Sequence, residues 1–296
     1  MRHIDLRRGE KGPMRKKGIP PEMLKKLQQE LLDILLEFDR ICKKYNIRYY
    51  LSDGTLLGAV RHQGFIPWDD DVDIEIFRPE YERFREVAKK EWDEHGRYYF
   101  QDSTTDPDYN WPYGKFRKAG TRGVRPNQKG MLKRDGIFMD VFAMDVMPST
   151  RPVQSIMYFL TAVARKILWA PIGWHILQNP FEKAGFFLLH LLPRNAALAL
   201  HHWVSGWYRG KETEWIGIFN TASTSKHGYA YRREWYKDVR EVSFEGHMLP
   251  IPVGADGILK TKYYDYWVLP PEEKRYGNAD FVYIEFSDGT IWQRDE

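Results

Sequence analysis

The spacing of apolar residues predicts that the folded part of the chain begins with one long amphipathic helix. From Pro21 to Tyr45, apolar side chains recur at intervals of three and four, which places them on one helix face. Proline at positions 20 and 21 suits a helix start, because the N–H that proline lacks would be unpaired there. Residues 1–20 are rich in Lys and Arg and contain no apolar core, so we interpret them as a basic flexible arm.

Beyond this helix the pattern alternates between strand-like and helix-like segments. The predicted strands cover residues 47–52, 72–77, 98–103, 114–121 and 136–146, and the predicted helices cover 54–62 and 79–95. This alternation favours an α/β (α+β) architecture, a mixed sheet flanked by helices with functional residues at strand ends. We therefore predict a core domain over residues 21–150.

A densely apolar stretch follows, and we predict that it is a helical insertion over residues 151–215. Segments 156–174 and 181–203 are rich in Leu, Phe, Trp and Ala. Basic residues and a proline interrupt them, so neither is a clean membrane span. Two interpretations stay open: a helical subdomain packed on the core, or amphipathic helices that lie in a membrane interface.

The last part of the chain returns to a mixed pattern. The pair Glu245-Gly246 separates two strand-like runs, 241–244 and 247–251, and predicts a hairpin. Residues 254–266 have the pattern of a helix. We predict that residues 216–296 complete the core domain.

Composition excludes some classes of protein and leaves others open. The single cysteine, Cys42, rules out an intramolecular disulfide or a cysteine-based zinc site, and a reducing, cytoplasmic setting fits. The formal net charge of +4 is compatible with anionic partners such as nucleotides or lipid headgroups. It does not single one out.

The strongest chemical signal is an acidic cluster at the start of the second predicted strand. Four aspartates stand within the five positions 69–73 and repel one another at neutral pH, so a fold that packs them needs a compensating cation. Asp71 and Asp73 share one strand face, since side chains repeat with a period of two. Carboxylate oxygens favour a hard cation, magnesium or manganese. The alternative is a solvated acidic turn or a calcium loop.

A third carboxylate, Asp140, stands among apolar neighbours of a predicted central strand. Burying an ordinary polar group without a hydrogen-bond partner costs about 2–7 kcal/mol, and burying an unpaired carboxylate charge costs more. We therefore expect a partner for Asp140. We choose Asp140 as the third member of the site. Asp145 is the competing candidate, but it lies nearer the strand's end and suits a capping role.

Gly54 and Thr55 follow a strand and open a helix. In this arrangement backbone N–H groups and a hydroxyl can hold a phosphate. The alternative is an ordinary turn and helix cap, for which the same residues are common.

These residues carry a family resemblance. The run from Leu51 to Ile74, which contains GTLLGAVRHQGFIPWDDDVD, resembles the signature of the LicD family. The similarity continues at Lys115-Phe116-Arg117, at 136–145 and in the C-terminal part at 244–252 and 264–271. The resemblance implies a nucleotidyltransferase fold and the activity of phosphocholine transferases of bacterial surface glycans, related to fukutin and the fukutin-related protein.

The implied reaction is metal-dependent transfer of a substituted phosphate from a CDP-linked donor to a glycan hydroxyl, with CMP leaving. The first cargo to consider is phosphocholine, and the first acceptor is a cell-surface glycan of the lipopolysaccharide or teichoic acid type. Ribitol or glycerol phosphate would use the same chemistry. Two further hypotheses stay open: a nucleotidyltransferase with a small acceptor, and a catalytically silent binding module.

The resemblance also implies roles for the candidate residues. Asp71 and Asp73 would hold magnesium or manganese, and Asp140 would complete the metal site or take the proton of the attacking hydroxyl. The donor phosphates would be held by four residues, Gly54, Thr55, Arg61 and Lys115. If the cargo is choline, aromatic faces could hold its ammonium, and the candidates are Trp68, Tyr109, Trp111 and Tyr113. Core packing is the alternative for each aromatic residue.

The expected partners follow from the same reaction. They are the CDP-linked donor and a glycan or lipid-linked glycan acceptor, and no nucleic acid is implied. We expect a cytoplasmic protein, with peripheral association at the inner face of the membrane as the second interpretation of the apolar insertion.

Overall fold

A computed structural model describes residues 18–126, 134–219, 230–277 and 280–294. Residues 1–17 of the predicted basic arm lie outside the described ranges. The helices are α1 (Pro21–Lys44), α2 (Asp53–His62), α3 (Arg78–His95), α4 (Arg151–Ile176), α5 (Pro180–His190), α6 (Arg194–Ser205) and α7 (Ala255–Tyr263). The strands are β1 (Tyr50–Leu51), β2 (Asp73–Phe77), β3 (Tyr98–Gln101), β4 (Gly114–Lys118), β5 (Arg122–Val124), β6 (Phe138–Met147), β7 (Trp215–Gly217), β8 (Tyr231–Arg232), β9 (Val239–Phe244), β10 (His247–Pro252), β11 (Tyr283–Glu285) and β12 (Ile291–Gln293).

A mixed sheet in the order β1-β2-β6-β4-β3 forms the centre of the molecule, which confirms the predicted architecture. β2 and β6 are parallel neighbours, while β4 is antiparallel to β6. β6 is ten residues long because its first half pairs with β2 and β4 and its last three residues pair with β7. The two central strands therefore begin at the same edge of the sheet.

One face of this sheet is covered by α1 and α3. The predicted first helix is confirmed, and its apolar face is buried from Leu27 to Cys42. Three aromatic rings join the layers: Phe38 of α1 lies 4.2 Å from Phe84 of α3 and 5.7 Å from Phe116 of β4, between ring centroids. Burial of such side chains contributes about 1.5–3 kcal/mol each.

Several predicted boundaries were too long. The strand predicted over 98–103 ends at Gln101, because the carboxylate of Asp102 accepts the backbone N–H groups of Thr104 and Thr105 and turns the chain. The apolar run 181–203 forms two helices, α5 and α6, with Pro193 between them. Proline has no N–H and disfavours a helical residue before it, so the helix stops there. The helix predicted to Tyr266 ends at Tyr263, where Tyr264 has φ +57°.

The C-terminal part packs on the core and adds a feature that the sequence pattern did not indicate. The hairpin of β9 and β10 is confirmed. Tyr236 donates a hydrogen bond to Glu75 of β2 at 2.6 Å and accepts one from Tyr50 at its carbonyl. β11 pairs with both β12 and β5, so the end of the chain completes a small second sheet with a segment far away in sequence.

The insertion consists of α4, with α5 and α6 packed against it. Trp169 of α4 meets Phe186 of α5 at 5.1 Å between ring centroids, and buried Leu168 packs with Ala197 and Leu198 of α6. Among the described helices α4 alone is long and apolar enough to cross a membrane, by length and composition, and 50% of its most apolar window is buried within the protein.

Candidate active site

The start of the two parallel strands brings three predicted residues together. Asp73 of β2 is opposite Asp140 of β6 in the strand register, and Lys115 of β4 is opposite Asp140 on its other side. The Lys115 ammonium donates a hydrogen bond to Oδ1 of Asp140. Both side chains are buried, so Lys115 is the partner that a buried Asp140 requires.

The turn before β2 adds more carboxylates than the sequence analysis assigned to the site. Asp69 and Asp70 are buried, Asp71 is half-buried, and one oxygen from each lies within 4.8 Å of the others. Asp69, Asp70 and Asp71 form a close acidic set, and this set interacts electrostatically with Asp73 and Asp140. The unbroken Asp-Asp-Asp run was the sequence signal for Asp69 and Asp70. The sequence pattern does not indicate which of these aspartates is buried.

Burial and mutual repulsion make this cluster difficult to ionise. Burial raises the pKa of Asp71 to about 6, and the charges of Asp70 and Asp140 act in the same direction. Burial, followed by the charges of Asp71 and Asp140, raises the pKa of Asp73 well above its usual range. An all-oxygen donor set with unfavourable negative charge fits a hard divalent cation such as Mg²⁺ or Mn²⁺.

Thr55 and Gly54 at the start of α2 shape this acidic cluster. The Thr55 hydroxyl accepts the backbone N–H of Asp73 at 2.9 Å. A Cβ at position 54 would lie only 2.7 Å from Oδ2 of Asp69, so the close approach of α2 requires glycine. Both residues therefore touch the cluster, and their role in holding phosphate stays a prediction.

Arg61 contacts the C-terminal part of the chain. Its guanidinium donates to the carbonyl of Tyr266 at 2.6 Å, and burial lowers its pKa. This contact joins the end of α2 to the C-terminal part. Lys262 of α7, which the sequence analysis did not single out, forms an ion pair with Asp53 at the start of α2.

The competing candidate Asp145 has a different partner. Arg78 makes two hydrogen bonds to it, with Nε to Oδ1 at 2.9 Å and Nη2 to Oδ2 at 2.6 Å. Both residues are buried. Such a bidentate pair satisfies both charges, so Asp145 has a structural role between α3 and β6.

The sequence analysis missed Arg125, which follows β5. The carboxylates of Asp140, Asp71 and Asp70 act electrostatically on its guanidinium, which lies 5.1 Å from the ring centre of Phe138. Its Nε is buried and has no hydrogen-bond partner among the described residues. A buried donor without a partner is costly, and an anionic ligand would satisfy it. A single Arg after a short strand is too weak a sequence signal to find it.

The C-terminal segment forms one wall of the site. An added Cβ at Gly277 would lie 2.1 Å from Cγ of Asp70, and the guanidinium carbon of Arg275 lies 5.4 Å from the ring centre of Trp68. The cation beside Trp68 is thus the guanidinium of Arg275. Residues near the end of the chain therefore contact the acidic turn directly.

The other three aromatic candidates lie beside the Lys115 strand. Tyr109 is fully buried against Trp111, with ring centroids 5.2 Å apart, and its hydroxyl has no hydrogen-bond partner among the described residues. The Lys115 ammonium lies 5.4 Å from the ring centre of Tyr113. Burial raises the pKa of both Tyr109 and Tyr113, and the charge of Asp140 acts in the same direction, so these two side chains lie in the same region as the carboxylates.

Comparison with known proteins identifies the family of this chain. The family described as LicD/FKTN/FKRP, nucleotidyltransferase domain, matches residues 46–147. The lipopolysaccharide cholinephosphotransferase LicD of Haemophilus influenzae is 30% identical over 262 residues, which cover 84% of this chain and 93% of that protein. The chain belongs to the LicD family. The ribitol 5-phosphate transferase FKRP of human is 58% identical over 31 residues, 10% of this chain and 6% of that protein.

The resemblance seen in the sequence is thus confirmed for this LicD-family chain. The matched segment 46–147 contains the five carboxylates at positions 69, 70, 71, 73 and 140, together with Lys115 and Arg125. Lys262 and Gly277, in the C-terminal part, lie outside this matched segment. An uncharacterized protein of Rickettsia typhi is 44% identical over 57 residues, 19% of this chain.

Proposed function

We propose that this LicD-family protein is a metal-dependent phosphotransferase that moves a substituted phosphate from a CDP-linked donor to a hydroxyl of a cell-surface glycan, releasing CMP. One observation carries the proposal: five carboxylates, the buried Lys115 and the half-buried Arg125 converge where β2 and β6 begin. Phosphoryl transfer needs mainly positioning and charge neutralisation, and this set of groups supplies both.

In this proposal the carboxylates have distinct tasks. Asp71 and Asp73 hold the cation, with the buried Asp69 and Asp70 beside them. A divalent cation bound there supplies charge neutralisation for the donor diphosphate. Asp140, already hydrogen-bonded to Lys115, completes the metal site or accepts the proton of the attacking glycan hydroxyl.

The donor phosphates occupy the cationic side of the site. The Nε of Arg125, which has no hydrogen-bond partner within the described ranges, is the donor best suited to a phosphate oxygen, since charged hydrogen bonds to guanidinium are short and strong. The start of α2 with Gly54 and Thr55 adds backbone N–H groups at a helix N-terminus. We retain Arg61 only as a residue that fixes the position of α2.

Phosphocholine is the first cargo that we propose, with lipopolysaccharide as the acceptor type. The support is the H. influenzae relative, named a lipopolysaccharide cholinephosphotransferase and matched along most of its length. The half-buried Tyr113 beside the site offers an aromatic face to a quaternary ammonium. Ribitol phosphate is the second candidate, from the short match to FKRP.

We also propose a cytoplasmic location, which a single buried thiol, Cys42, fits.

The test is a product assay with the purified full-length chain. CDP-choline, CDP-ribitol and CDP-glycerol are each incubated with Mg²⁺ and a lipopolysaccharide acceptor, and CMP is followed by chromatography. We expect CMP from one donor, no turnover in Asp73→Asn, and full turnover in Asp93→Asn, an exposed aspartate on α3. Donor binding is measured in parallel by calorimetry. Pyrophosphate release would establish the nucleotidyltransferase alternative, and no binding of any CDP-linked donor would overturn the proposal.

A further inference from the structure

The helix α5 is unusual because it has no buried residue, although its sequence is apolar. Phe181 is 87% exposed, and Leu188 and Leu191 are each 64% exposed. Phe187 and Leu192 are also largely exposed. We call these five side chains the α5 surface. Contiguous apolar exposure of this kind marks an interaction site on a folded protein.

The side of α5 that does make contacts faces α4. Phe186 lies against Trp169, and Phe187 lies 5.8 Å from Trp174, between ring centroids. Phe181, Leu188 and Leu191 remain largely exposed beside these contacts. The helix is therefore fixed in place while its outer apolar side chains stay available.

The helices that carry and support this surface are mostly cationic. From Arg151 to Lys211 the chain has seven Lys and Arg residues and a single carboxylate, Glu182. Lys166 and Lys183 are exposed. Apolar side chains beside exposed cations are complementary to a bilayer with anionic headgroups, where acyl chains and phosphates lie next to each other.

The length of α5 determines whether it could span the bilayer or lie in its interface. α5 has 11 residues. A helix of that length rises about 16 Å, roughly half of the hydrocarbon thickness. The ring of Trp174 in α4 stacks with that of His190, the last residue of α5, and Trp side chains favour the membrane interface. The geometry therefore suits a helix that lies in the interface plane.

We propose that the α5 surface binds the protein peripherally to anionic lipid bilayers, with α5 lying in the headgroup region. The connection from α5 through α4 to α6 supports a use for this contact. Arg194, the first residue of α6, donates to the carbonyl of Tyr109 at 2.6 Å and to the side chain of Asn110 at 2.8 Å. The loop that contains Tyr109 leads into the Lys115 strand, so the membrane-bound layer is tied to the rim of the site.

The experiment is vesicle flotation of the full-length chain. Phosphatidylcholine vesicles with and without phosphatidylglycerol are compared at low and high salt. We expect flotation with the anionic vesicles, weakened by salt. The variant Leu188→Glu/Leu191→Glu is expected to lose about tenfold or more in vesicle affinity. The matched control is Met248→Glu, a 52% exposed apolar residue on β10, and it should float like the wild type.

Two measurements separate this proposal from its alternatives. Circular dichroism and turnover with a soluble acceptor should be unchanged in both variants, which excludes unfolding as the cause. Light scattering reports whether the α5 surface joins two copies of the chain instead. Absence of flotation by the wild type, equal flotation of the double variant, or a dimer that this variant dissociates without vesicle binding would each overturn the proposal.

Discussion

The hydroxyl of Thr55 accepts the backbone N–H of Asp73 at 2.9 Å and so fixes the first residue of β2 against the start of α2. We predict that Thr55→Val loses this bond, costs about 0.5–1.5 kcal/mol of stability and lowers turnover because the carboxylate of Asp73 shifts. Thr55→Ser keeps the hydroxyl and should behave like the wild type. Denaturant unfolding and kcat are the measurements. Equal turnover in the two variants would contradict a positioning role.

A bound divalent cation should stabilise the folded protein through the acidic cluster. Ligand that binds only the folded state at a hundred times its Kd adds about 2.7 kcal/mol. We expect Mg²⁺ to raise the melting temperature of the wild type and to have little effect on Asp73→Asn. Without metal, Asp71→Asn should melt no lower than the wild type, because it removes repulsion. A metal-independent melting temperature in the wild type would argue against this site.

Arg125 should contribute more to donor binding than the neighbouring Arg122. Hydrogen bonds to charged groups contribute about 1.5–3 kcal/mol, so Arg125→Gln should weaken the binding of a CDP-linked donor roughly 10- to 100-fold. Arg122 pairs with Asp135 at the surface, and Arg122→Gln is the matched control. Calorimetry with the donor distinguishes them. Similar affinities for the two variants would remove Arg125 from the site.

The pair of Arg78 and Asp145 should be essential for stability. Removing one partner leaves a buried charge without compensation, and we expect Arg78→Ala or Asp145→Ala to lose about 3–5 kcal/mol. The double replacement Arg78→Met/Asp145→Leu should lose less than either single change. Urea unfolding of the three variants measures this coupling, and additive losses would show that the charges act independently.

His201 in α6 should make the protein sensitive to acid. Burial lowers the pKa of His201 to about 3, from 6.5 for an exposed imidazole. Between these values the unfolded chain binds a proton that the folded chain excludes. The contribution of His201 to the free energy of unfolding is therefore complete above about pH 6.5. It falls as the pH drops towards 3, by at most about 1.4 kcal/mol per pH unit.

His201→Gln should flatten this part of the stability profile. His247→Gln, at an exposed position on β10, should leave it unchanged. Urea unfolding across the acidic range is the measurement. An identical slope in the wild type and in His201→Gln would show that other groups control acid unfolding.

The sequence predicted the elements whose signals are local. The periodicity of α1 and the acidic start of β2 depend on neighbouring residues, and both are present in the structure. β5 was missed because three residues give little pattern, and its partner β11 is distant in sequence. Asp140 was found through its apolar neighbours. The burial of Asp69 and the approach of Arg125 depend on long-range packing, which local patterns do not encode.

The pairing of β5 with β11 links the support of Arg125 to a segment that lies far from it in sequence. Val282 donates its N–H to the carbonyl of Val124, the residue before Arg125. A nascent chain could assemble its carboxylates earlier, but this guanidinium would lack its final support until β11 is synthesised. Proteolytic removal of β11 would therefore take this support away from Arg125 while leaving the carboxylates of the acidic cluster in the chain.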